Sequence, residues 1–102
     1  MKPLVAAADL ELEDLRREHL EQLKEDSGAD RGAENAPGSI GCHELLDRTA
    51  MIADTVERFV VSHPACVRDP EWFALAQRAA NSLHELYQRI GAEHLSHVTS
   101  DT

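Results

Sequence analysis

The chain has 102 residues, 42% of them hydrophobic but only 4% aromatic, and a formal net charge of −9. That length suits one small domain whose core is built from Leu, Ile, Val and Ala. An acidic chain with scattered arginines excludes binding to nucleic acid through clustered basic side chains, and for the same reason adhesion to an anionic membrane surface.

The first apolar run, Leu4-Val5-Ala6-Ala7-Ala8, is too short for a signal peptide, and no stretch approaches the roughly 20 apolar residues that span a bilayer. A soluble, cytoplasmic protein is therefore expected. Its charge is concentrated early, with ten acids and five bases in residues 1–40. The predicted organisation is an acidic helical segment (1–26), a flexible linker (27–40), a helical domain (41–98) and a disordered tail (99–102).

Within the first segment, residues 9–25 predict a helix. Leu12, Leu15, Leu20 and Leu23, with His19, recur at three- and four-residue spacing, and Asp9, Glu11, Glu13 and Asp14 suit the positive end of the helix dipole. This leucine ridge is narrow, and a helix of that length is marginal alone. Its expected use is docking into the groove of a protein partner. The following Ser27–Ser39 stretch holds three glycines, one proline and no large apolar residue, which reads as a linker.

A second helix is expected from Gly41, as N-cap with Glu44 at the third helical position, to His63, ended by Pro64. Leu45, Thr49, Ile52, Val56, Phe59 and His63 share one line, flanked by Leu46, Ala53 and Val60. A third helix is expected from about 70 to 97. Asp69 is a good N-cap, Pro70 suits the first position and Glu71 the first turn. Trp72, Leu75, Ala76, Ala79, Leu83, Leu86, Tyr87 and Ile90 form its apolar face. Gly91 is expected to be passed through, because Ala92, Glu93 and Leu95 are helix formers.

The short turn His63–Pro70 makes these two helices antiparallel neighbours in a hairpin, pairing 63 with 70. Each apolar stripe is about 140–160° wide, more than one neighbour covers. The expected fold is therefore all-α, with two hairpins completing a four-helix bundle as a homodimer. Leu45, Ile52, Val56, Phe59, Trp72, Leu75, Leu83, Leu86 and Ile90 would form the interface. The alternative is that the first helix folds back to complete a three-helix bundle.

Cys42 and Cys66 lie roughly 35 Å apart along such a helix, against the ~6 Å a disulfide requires. Reduced thiols are expected, with pairing between antiparallel chains as the alternative. The open end of the hairpin brings Cys42 towards His94 and His97. One thiolate and two imidazoles suit zinc, with a fourth ligand from His43, Glu93, water or a second chain. The plainer reading is that these residues cap the end of the bundle, with the histidines near the negative helix terminus.

Other chemistries fail on the residues. No Glu stands three positions before any histidine, as a carboxylate-bridged di-metal bundle would need. Ser62-His63 and Cys42-His43 are neighbours that diverge on a helix, and no phosphate loop or nucleophile elbow is present. An enzyme is not expected, and no cofactor beyond a possible zinc. The acidic surface also permits a decoy of a nucleic-acid-binding protein, although its acids are interleaved with Arg16, Arg17, Arg48, Arg58 and Arg89. The expected role is a protein–protein interaction module: an adaptor, regulator or accessory subunit.

Overall fold

A computed structural model describes residues 7–27 and 32–100, and every regular element among them is helical. The chain divides into two compact units, at Gly32 and Ala33. The first contains α1 (Ala7–Ser27). Its described side chains are exposed apart from Glu13, which is half-buried beneath Arg16 and Arg17.

The second unit is built on α3 (Ile40–Thr55) and α5 (Pro70–Ser100). A short α2 (Gly32–Asn35) precedes α3, a π-helical turn (Val56–Val61) prolongs it, and α4 (Pro64–Val67) follows. Contacts between α3 and α5 pair the start of one with the end of the other. The Gly38 N–H donates to Nδ1 of His94 at 3.0 Å, and the rings of His43 and His94 lie 5.5 Å apart. A methyl group placed on Gly91 would touch Leu46. Further along, His84 meets the Glu57 carboxylate.

This register differs from the expected pairing, which set His43 opposite Ile90, by about one turn at the open end and about two at His84 and Glu57. The cause lies in the connection. Residues 64–67 coil into α4 instead of forming an extended link, so the reversal falls later in the chain. Nδ1 of His63 caps this short helix by accepting from the Ala65 N–H at 3.0 Å. Pro64 then takes its first position, where a missing N–H costs nothing.

Other ends follow the sequence more closely. Asp69 accepts from the N–H groups of Glu71 and Trp72 at 2.9 and 3.1 Å, as an N-cap should. At the start of α3, however, the cap is Ser39 and not Gly41: its hydroxyl accepts from the Cys42 N–H at 3.2 Å. Gly38, with φ 89°, turns the chain into position for it. Gly41 serves another purpose, because a Cβ there would stand 2.6 Å from the Glu34 carbonyl oxygen. The second half of the expected linker is thus folded against the start of α3, while 28–31 lie outside the described residues. At the other terminus, α5 runs through Gly91 to Ser100, past the expected start of the tail at 99; 101 and 102 lie outside the described residues.

The buried side chains are small. Cys42, Ala53, Val61 and Ala80 are the buried apolar residues, joined by Thr49 and His94. Ala80 and Ala53 are 0% and 1% exposed, so the two helices approach closely over them. The Thr49 hydroxyl is satisfied within its own helix, donating to the Leu45 carbonyl at 2.7 Å. Among the described residues no large side chain is fully buried, and no helix is long and apolar enough to cross a membrane.

Candidate functional site

The wide apolar stripes read from the sequence are split by the packing. On α3, the buried residues Cys42, Thr49 and Ala53 mark the edge that meets α5. Leu45, Ile52 and Phe59, seven residues apart, form a second row that is exposed. At about 100° per residue the two rows are roughly a quarter-turn apart. On α5, Ala80 and His94 are buried and Phe73, Ala76 and Leu83 partly so, whereas Trp72, Leu75 and Leu86 are exposed. The offset there is again about a quarter-turn, in the same rotational sense.

Since the two helices run in opposite directions, equal offsets of the same sense place both exposed rows on one side of the pair. The result is a single apolar face, with Val56, Leu83 and Ile90 half-buried at its base. The π-helical turn extends the face to its end. Ser62 donates its N–H to the Glu57 carbonyl five residues back, at 3.1 Å, which widens the turn by one residue. On a regular helix the residue following Ala53 on the buried line would be Val60; the wide turn delivers Val61 instead. Phe59 and Val60 are left outward, Phe59 with 67% of its surface exposed.

Phe59 and Val60 meet α5 across an open cleft of about 330 Å³, completed by His63, Ala65, Cys66, Trp72 and Ala76. The cleft is bounded almost wholly by carbon. His63 presents the exception, and its Nδ1 is already committed to the Ala65 N–H. Cys66 is a partly exposed free thiol, while Cys42 is a buried one. The sequence marked the turn as the reversal between two helices but did not signal the cleft, since the π-helical turn leaves no pattern in hydropathy alone.

The expected zinc ligands are not gathered. Among the described residues, no group of three or more His, Cys, Asp or Glu side chains is placed to hold a metal ion. Nδ1 of His94 accepts the Gly38 N–H, and Nδ1 of His97 sits 2.9 Å from the Glu93 carbonyl oxygen. The ring that lies beside His94 is that of His43, 5.5 Å away. His94 is instead a buried anchor that ties the segment before α3 to the end of α5, close to the plainer reading of that cluster. His43 is directed to Asp47, at 3.4 Å.

On α1, Leu12, Leu15, Leu20 and Leu23 are all exposed. Ion pairs within the helix fix its shape: Arg16 reaches Glu13 at 2.6 Å and Arg17 reaches the same carboxylate at 3.2 Å. The hydrogen bond from Arg16 holds the Glu13 carboxyl down at about 2, below its ordinary value of 4.5.

No protein-family model, curated protein or solved structure matches this chain.

Proposed function

We propose that this protein is a protein–protein interaction module whose α3–α5 hairpin self-associates through its apolar face to make a four-helix bundle. The observation that carries this reading is the double row formed by Leu45, Ile52 and Phe59 with Trp72, Leu75 and Leu86, exposed together on one side of the helix pair. A monomer would leave this surface in water while its own interior holds, apart from His94, only small side chains. A second copy supplies a matching surface of the same spacing. Two such faces stacked by a two-fold axis bury both sets of rows, which is the usual closed solution for identical subunits.

In this reading the partner specificity of the adaptor resides elsewhere, in the exposed leucines of α1. Their spacing suits an amphipathic helix laid in a groove, with Leu12, Leu15 and Leu23 as anchors. Removing residues 1–32 should then leave a folded dimer that has lost partner binding. An unfolded product would show instead that α1 completes the core.

The decisive experiment is sedimentation equilibrium of the full chain beside the double variant Ile52→Glu, Leu75→Glu. The wild type is expected to be dimeric, and the variant monomeric with its helical circular dichroism largely kept. Two buried anchors replaced by charges should weaken association by at least tenfold each. A wild type that stays monomeric into the hundred-micromolar range would overturn the reading.

A further inference from the structure

Resting on that self-association, we infer that the dimer is released by acid, with His63 as the proton sensor. The side chain occupies two roles at once. It lines the cleft at the end of the apolar face, beside Phe59, Val60 and Trp72. It also caps α4, with Nδ1 accepting the Ala65 N–H at 3.0 Å. A backbone N–H can only donate, so Nδ1 must carry a lone pair, and the ring is neutral with its proton on Nε2.

Protonation changes both roles in the same direction. A proton on Nδ1 faces the Ala65 N–H donor to donor, and the cap on α4 is lost. At the same time a full positive charge appears at the rim of a surface that association removes from water. Of the residues lining the cleft, only Cys66 also titrates, and none supplies a carboxylate to receive that charge.

The charged groups nearby on each packed element are paired with other groups, carry the wrong sign or lie off the cleft lining. On the π-helical turn, Glu57 meets His84, and Arg58 pairs with Asp54 at 3.1 Å. Beside α4, Arg68 carries the same sign as the imidazolium and cannot neutralise it. At the start of α5, Asp69 is held by the N–H groups of Glu71 and Trp72, and the exposed Glu71 is not among the residues that line the cleft. Covering an imidazolium without a partner therefore opposes association, whereas the neutral ring permits it.

Sedimentation velocity of the full chain at pH 7.5 and 5.5 tests this, with His63→Asn as the comparison. Asparagine keeps a side-chain acceptor suited to capping but does not titrate. The wild type is expected to lose at least tenfold in affinity between the two pH values. The variant should change by no more than about twofold, although it keeps the other five histidines. Equal affinity of the wild type at both pH values, or the same loss in the variant, overturns the assignment to His63 and leaves self-association standing. A wild-type monomer at pH 7.5 overturns both.

Discussion

The two units hold their helices by different means. In α1, polar contacts among the described side chains link residues three or four apart: Arg16 and Arg17 to Glu13, and Gln22 to Asp26 at 3.0 Å. Such exposed pairs are screened by water and contribute weakly. In the second unit, the defining contacts join residues far apart in sequence, including Gly38 with His94 and Glu57 with His84. There the fit of small side chains sets how closely the helices approach. The difference teaches that a substitution in α1 should be weak and additive, whereas one at the α3–α5 contact should be strong and felt along both helices.

Overpacking that contact is the sharpest way to break the second unit. Ala80→Leu inserts three carbons where no surface is exposed. It should cost about 1–3 kcal/mol, seen as a lower urea midpoint at fixed protein concentration. Leu placed at Asn81, exposed one position later and on the side away from the Trp72–Leu86 row, should leave the midpoint nearly unchanged. Equal effects at the two positions would contradict the quarter-turn split of the stripe.

Asp69→Ala removes an acceptor shared by two backbone donors and should cost about 1 kcal/mol, most of it restored by Asp69→Asn. Ser39→Ala tests the start of α3 in the same way and separates the observed cap from the expected one at Gly41. Gly91→Ala should act in the opposite sense. The nearest atom to the added methyl is a Leu46 methyl at 3.7 Å, ordinary contact, so helix propensity decides. A gain of about 0.5–1 kcal/mol is expected, again from the urea midpoint.

The smallest effect belongs to α1. Because the Glu13 carboxyl is depressed to about 2 from 4.5, its contribution is complete above 4.5 and fades as pH falls through about 2. A peptide spanning 7–27 should therefore lose slightly more helical circular dichroism between pH 5 and 2 than its Glu13→Gln counterpart. Identical titrations would mean that the Arg16 pair adds nothing to the helix.

Much of the second unit was legible in its punctuation. Pro64, Asp69 and Pro70 place the end of one helix and the start of the next, because missing donors and side-chain acceptors act locally and leave the same mark in any fold. The segment before α3 was less so. Ser39 and Gly41 both offered a start, and choosing between them required knowing that Gly38 turns the chain back while the Glu34 carbonyl crowds Gly41. The partners of His94 and His97 were not legible either: the Gly38 N–H and the Glu93 carbonyl lie beside their Nδ1 atoms, and hydropathy records neither.

By itself, then, the sequence determined that the chain is helical, where proline and aspartate interrupt it, and that its apolar stripes are too wide for one neighbour. Those follow from periodicity and from backbone chemistry within a few residues. Tertiary structure decided which edge of each stripe is buried, what His94 binds, and that the space between Phe59 and Trp72, already neighbours by the hairpin pairing, is an open cleft beside His63. These depend on how the helices pack over the buried Ala53 and Ala80 and on one extra residue in the turn at 56–61. No local pattern records either, because each is set by how two distant surfaces fit.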